Sequence, residues 1–431
     1  MKKPKNSNYS ALVVKIQTTY PLEGCDFVQA ASILGNQVIV DKSVKEGDMG
    51  LFFPVECKLS KEYLSNNNLY RKPELNLNPE KKGYFEENGR IRCVKFRGHK
   101  SEGLFMPMNS IDFTKHKESL VVGDSFDELN GIGICEKYVV VQSGGYMTTN
   151  ATKNSKIKES KIIEGQFRFH EDTEQLYRNI HKIQPNDLIS ITYKVHGTSG
   201  ISSYVLCKKS LKWYEKVLKK LGVNVVDTYY DYIYSSRKVI KNPELNPNAN
   251  HFYDVDIWGL AHKKLEPFLT PGLTLYYEIA GYLPNGGYIQ KGYDYGCDEK
   301  EFKIFVYRIT YTSPIGNVFE FSAKQVQEWC KSKGLLPVFE RYYGEAIDFV
   351  DYNLHNEDKS MEFSFDLLNA IKLKYTEHDC FMCSGNVPAE GCVVRIDNKL
   401  EFEAYKVKSA RFYEMETALL DKGVSDIESE N

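Results

Sequence analysis

The chain has 431 residues, 42% of them hydrophobic, 26% charged and 13% aromatic. That length exceeds one ordinary core and calls for about two or three domains, and the apolar content excludes a disordered or fibrous protein. Lys and Arg number 56 against 58 Asp and Glu, a formal charge of −2, so any nucleic-acid site must be a local patch and not a global basic field.

The first third reads as short strands. Residues 11–18 are apolar and β-branched. Residues 27–34 and 37–41 flank Gly35-Asn36, a turn suited to a hairpin, and Gly47-Asp48 is a second turn. A polar stretch over 59–88 reads as a loop or insertion, and strand character returns at 91–96 and 104–106. Short strands with long connections fit a small closed barrel of the OB or SH3 kind. Residues 148–161 turn into Thr, Asn, Ser and Lys and read as a linker.

Beyond the linker, strands and helices mix. Strands are predicted at 188–193, 201–205, 273–279, 303–310 and 392–396. Residues 210–221 put Leu211, Tyr214, Val217, Leu218 and Leu221 on one helical face, stopped by Gly222. Ser322 with Gln325 forms a capping box for a helix ending before Gly334, and 363–375 is a third helix. The class is a β-rich α+β protein, divided as 1–147 barrel, 148–165 linker and 166–431 second domain. No apolar run is long enough to span a bilayer, and the ten cysteines form no disulfide framework. A cytoplasmic protein with reduced thiols and no membrane partner is expected.

Several segments could carry chemistry. In Tyr193-Lys194-Val195-His196-Gly197, a lysine ends a strand, and Gly197 lets the backbone turn and approach a ligand closely. Such an amine becomes a nucleophile when desolvated or set beside other cations; the plain alternative is a surface lysine before a turn. Glu278 lies within an apolar, aromatic strand, where burial demands a partner or ligand unless it faces water. Phe305 and Tyr307 sit at period two and either pack the core or stack on a base. Glu390-Gly391 opens a strand with an acid, and Lys406 and Lys408 share one strand face, which favours an anion between them unless that face is solvated. Cys380-x-x-Cys383 could begin a zinc site, although no second pair follows.

The order of these segments, Lys-x-His-Gly, then Ser235-Ser236-Arg237, Glu278, the aromatic strand, Glu390-Gly391 and Lys406-x-Lys408, resembles the covalent nucleotidyltransferase superfamily of polynucleotide ligases and RNA capping enzymes. Histidine two residues after the lysine makes it most similar to the RNA ligases. Residues 21–26, 44–48, 92–98 and 101–104 add a resemblance to the OB module of the Deinococcus-type, nick-sealing RNA ligases.

The resemblance implies an N-terminal OB-like barrel followed by a ligase domain that forms lysyl-AMP from ATP with Mg²⁺ or Mn²⁺. Lys194 would attack the α-phosphorus, and His196 and Gly197 would shape the pocket. Glu278 would hold the ribose, and Phe305 or Tyr307 would stack on adenine. Arg237 would meet the ribose or the nucleic-acid end. Glu390 would help hold the metal, and Lys406 and Lys408 would grip the α-phosphate. The implied partner is a nicked duplex with an RNA 3′-hydroxyl end, gripped by a barrel patch of Arg92, Lys95 and Arg97. Tyr307 is followed by Arg308 where family ligases often carry Phe-Asp. A related DNA ligase, a capping-type enzyme, or an OB-fold RNA-binding protein with an inactive ligase-like domain are the alternatives.

Overall fold

The computed structural model describes residues 3–116, 118–139, 161–170, 172–242, 253, 255–350 and 360–422, with the side chains of 360–362 excepted. Most of the expected linker lies outside the described residues. Its last part is no linker: Ile162 bridges to Cys207, and Lys208 N–H donates to the Lys161 carbonyl.

In the N-terminal module β1 (Ala11–Lys15) pairs antiparallel with β5 (Met49–Pro54), which pairs with β6 (Gly103–Pro107). A separate meander joins β2 (Thr18–Pro21), β3 (Val28–Ile33) and β4 (Asn36–Asp41). Alternate residues of β1 split between two cores. Leu12 and Val14 join Ile33, Val38 and Phe52 inside the barrel, whereas Ala11 and Val13 join Leu51, Tyr63 and Leu64 on the opposite face. That second core revises the expected loop at 59–88. Ser60 caps α1 (Lys61–Asn66), and Tyr63 and Leu64 cover the sheet face that water would otherwise wet.

The second module is built on two sheets. The first runs Glu174–Gln175, β14 (Glu403–Lys408), β13 (Gly391–Ile396), β7 (Leu188–Tyr193) and β12 (Glu340–Glu345). The second runs β9 (Thr228–Ser236), β8 (Thr198–Lys208), β10 (Leu273–Gly281), β11 (Phe302–Thr312) and Val318–Glu320. The chain crosses from one sheet to the other between β7 and β8, over Lys194–Gly197. Helix α5 (Ser360–Tyr375) packs Phe363, Leu367, Leu368 and Ile371 on the first sheet. Helix α3 (Ile257–Leu265) and helix α4 (Ala323–Lys333), which opens with the predicted Ser322/Gln325 capping box, cover the second. Helix α2 (Trp213–Lys220) stands at the tip of the β8–β9 hairpin.

Helix α6 (Ala410–Asp421) joins the modules. The buried Arg90 guanidinium donates to both carboxylate oxygens of Glu56 at 2.9 and 2.7 Å and to Asp421 at 2.9 Å. Arg92 lies 3.4 Å from Asp421 and Lys95 2.8 Å from Glu414. Two of the three expected patch residues thus face acids of the second module; Arg97 donates to the Gly24 carbonyl. Among the described residues no helix is long and apolar enough to cross a membrane.

Candidate active site

The crossover sets the centre of the site. Tyr193 ends β7, and Lys194 N–H donates to the Gly391 carbonyl at 3.0 Å, which ties the lysine to the start of β13. Lys194 Nζ then lies 2.7 Å from Glu390 Oε1. Glu390 is 1% exposed, and its Oε1 is also 3.6 Å from Lys408 Nζ. Lys408 reaches Glu416 of α6 at 3.2 Å. Burial disfavours its charge, but Glu416 and Glu390 outweigh burial and hold its pKa well above the ordinary lysine value. Two lysines and two glutamates thus share one desolvated cluster, which also answers why Lys406 and Lys408 tolerate each other on one face: Lys408 is neutralised from behind.

His196 and Gly197 stand behind this cluster and not on the cavity wall. His196 packs edge-on between Tyr293 and Phe412, each 4.8 Å away between ring centroids, with Nδ1 3.9 Å from Glu390 Oε2. Its backbone N–H donates to Tyr295 Oη at 2.6 Å. Gly197 is required by a strand: a Cβ there would sit 2.2 Å from the Ile279 carbonyl oxygen and 3.0 Å from Glu278 Cγ. Close approach of β10 therefore explains this glycine.

A cavity of about 120 Å³ lies between the two sheets, walled by Lys194, Glu278, Tyr307, Arg237 and Lys406 together with Thr192, Val393, Arg395 and His170. All nine residues of β10 are buried, so Glu278 does not face water. The two candidate aromatics differ. Tyr277 pairs with Val306 and Tyr276 with Arg308, so Tyr307 is the extra residue of a β-bulge. It lines the cavity, and its hydroxyl lies 3.2 Å from Ser199 Oγ. Burial and the Glu278 carboxylate raise its pKa. Phe305 packs in the core against Tyr295, with centroids 5.7 Å apart. Arg237 follows β9 and pairs with Asp172.

Sequence reasoning missed several cavity residues. His170 comes from an irregular segment with no motif; its Nδ1 is 3.3 Å from Arg308 Nη1, and burial, then Arg308 and Arg237, push its pKa down to about 3. Arg308 is itself locked on Glu320 by two bonds of 2.8 and 2.9 Å, and its guanidinium covers the Phe402 ring at 4.3 Å. Arg395 was foreseeable as the residue two positions after Val393 on β13, hence on the same face. Cys380 and Cys383 lie in the cluster behind Tyr193. Among the described residues no group of three or more His, Cys, Asp or Glu side chains accompanies them.

A family model described as an OB-fold domain matches residues 10–108. Over nearly the whole chain, this protein is similar to solved structures of the Naegleria gruberi RNA ligase. A mutant with AMP and Mn is 15% identical with a TM-score of 0.55, covering 94% of this chain and 98% of that one. A second mutant, with ATP and Mn, is 17% identical with a TM-score of 0.56, covering 95% and 99%. No curated protein matches. The fold is α+β, an N-terminal OB-like barrel followed by a β-rich domain, and the whole shares the fold of that ligase.

Proposed function

We propose that this chain is an ATP-dependent RNA ligase that works through a lysyl-AMP intermediate on Lys194 and closes nicks bearing an RNA 3′-hydroxyl. The observation that carries the reading is the Lys194 amine, 2.7 Å from Glu390 Oε1, on the wall of a cavity that also holds Glu278, Tyr307, Arg237 and Lys406. The Naegleria ligase structures with ATP or AMP and Mn support the choice of nucleotide and of a divalent cation.

In the first step the neutral Lys194 amine forms an N–P bond to the α-phosphorus of ATP, and the bond to pyrophosphate breaks. Glu390 Oε1 is within reach of the proton that the amine sheds. Lys406 on the cavity wall sets positive charge against the phosphoryl oxygens, where the transition state needs it, and Lys408, held between Glu390 and Glu416, acts on the α-phosphate through Glu390. Tyr307, and not the core-packed Phe305, is the ring that stacks on adenine. Glu278 takes the ribose and Arg237 the ribose or the nucleic-acid end. His196 and Gly197 act by holding the crossover. In the second step an oxygen of the 5′-phosphate attacks the adenylate and the lysine amine leaves. In the third the 3′-hydroxyl attacks that 5′-phosphorus and AMP departs.

Glu390 is one buried carboxylate whose charge is met only by lysine side chains and the nearby His196 ring among the described residues, a donor set that suits Mg²⁺ or Mn²⁺ held by one carboxylate and substrate phosphates. Such an ion, when bound, supplies charge neutralisation at the phosphates.

The test is incubation with ATP or GTP labelled at the α-phosphate. Label from ATP on the wild-type chain and none on Lys194→Ala supports the reading. Label from GTP alone points to a capping-type enzyme, and no label to a binding protein with an inactive domain. Nicked duplexes ending in RNA or DNA 3′-hydroxyls then test the preferred strand, with RNA repair as the expected setting.

A further inference from the structure

The tip of the β8–β9 hairpin carries a feature that nucleotidyl transfer does not use. Trp213 is 78%, Leu221 73% and Val226 72% exposed, and Tyr214, Val217 and Leu218 are exposed as well. No side chain of helix α2 is buried. At about 100° per residue, Trp213, Tyr214, Val217, Leu218 and Leu221 fall within an arc of about 140°. Lys212, Lys216, Lys219 and Lys220 fall within a separate arc of about 100°. Between 208 and 227 six lysines face two acids, on a chain whose total charge is −2. Lys209 pairs with Glu215 at 2.9 Å and Lys219 with Asp227. Lys216 and Lys220 form no ion pair with a carboxylate among the described residues, and Lys212, beside Glu215, sets its Nζ 5.8 Å from the Tyr214 ring centroid.

We propose that this hairpin tip is an interfacial anchor that docks the protein on an anionic lipid surface. Each alternative occupant leaves one face unsatisfied. A second copy packed apolar face to apolar face would bring the lysine rims of both helices together, and like charges repel. A nucleic-acid backbone would take the lysines but leave Trp213 and Leu221 in water. An anionic bilayer presents a negative headgroup layer directly above an apolar one, which matches a helix with lysines on one side and Trp, Tyr, Leu and Val on the other. Trp and Tyr are the residues favoured at that boundary. Surface docking of this kind needs no spanning segment, so it is compatible with the absence of a long apolar run, although it revises the expectation of no membrane partner. The register from Gly200–Ser236 to Lys208–Thr228 sets the helix eight residues along the hairpin from the cavity end. That is about 27 Å, so docking there leaves the cavity open. The inference is independent of the ligase reading.

The experiment is sedimentation of the full chain with phosphatidylcholine vesicles, with and without phosphatidylserine. Binding only to the anionic vesicles is expected, weakening with salt and by roughly fivefold for each lysine charge removed at Lys212, Lys216 or Lys220. Trp258 is buried and Trp329 partly so, so a blue shift of tryptophan emission on binding should vanish in Trp213→Ser. The pair Trp213→Ser and Leu221→Ser should abolish sedimentation without moving the thermal midpoint, since neither side chain packs on the body. Equal binding to neutral vesicles, no binding to either, or unchanged anionic binding in the double variant overturns the proposal. So does loss in that variant of a dimer or of duplex RNA binding with no change in vesicle binding, which would assign the face to a second copy or to nucleic acid.

Discussion

Glu390→Gln tests the charge cluster most directly, because it keeps the side-chain volume and removes one charge. In the native protein Glu390 Oε1 lies 2.7 Å from Lys194 Nζ and 3.6 Å from Lys408 Nζ. Lys408 keeps Glu416 at 3.2 Å, so most of the damage falls on Lys194. Breaking a buried ion pair by removing one partner costs about 3–5 kcal/mol. The Lys194 side chain is 14% exposed at a cavity wall, so water recovers part of that loss and the lower end, about 3 kcal/mol, applies. At about 2–4 °C per kcal/mol for a module of this size, Tm should fall by about 6–12 °C. Adding Lys194→Met to the same chain removes the ammonium left behind, and the double variant should recover at least half of the loss. Thermal unfolding of the wild type, both single variants and the double variant closes the cycle. If Glu390→Gln melts within about 2 °C of wild type, or the double variant is no more stable than it, the pair is not energetically coupled and the proposed proton acceptor is lost.

Other expected outcomes follow from the same geometry. Tyr307→Ala should raise the KM for nucleotide, whereas Phe305→Ala should lower stability by about 3–5 kcal/mol with a smaller change in KM, because its ring is core-packed and off the cavity wall; equal effects on KM would remove the distinction. His170 is held neutral, with a pKa near 3 against 6.5 when unfolded, so the fold binds fewer protons across that window and stability should fall as pH drops from 6.5 towards 3. His170→Asn should flatten that slope in pH-dependent melting, and an unchanged slope would show that His170 does not set it. Arg90→Ala leaves the buried Glu56 carboxylate without its guanidinium and should cost about 3–5 kcal/mol in denaturant unfolding. Asp421→Asn removes only a half-exposed partner and should cost under about 1 kcal/mol; a larger loss would make that contact the main tie between the modules.

Local pattern alone carried much of this protein. The strand 188–193, the Ser322/Gln325 capping box and the α2 amphipathic pattern depend on nearest neighbours, period and caps; the first two are found where the sequence puts them, and the helix expected over 210–221 spans Trp213–Lys220, with Leu211 before its cap. The candidate lysines and glutamates could be named because their order along the chain is a sequence property. Position in space is not. The bulge at Tyr307 depends on the pairing of β10 with β11, Tyr277 against Val306 and Tyr276 against Arg308, and the crossover of Lys194 between sheets on a far more remote contact, Lys194 against Gly391. His170 and Arg308 meet only because two distant segments close on the cavity. The barrel's basic residues read as a nucleic-acid patch until α6 brings Asp421 and Glu414 against them. Residues 59–88 read as a loop because polarity hides Tyr63 and Leu64, whose burial requires a sheet face formed by residues on both sides of them. Sequence thus determined which side chains are present and which local shapes they favour, while charge pairing and burial, being distance effects between remote segments, were decided by the tertiary structure alone.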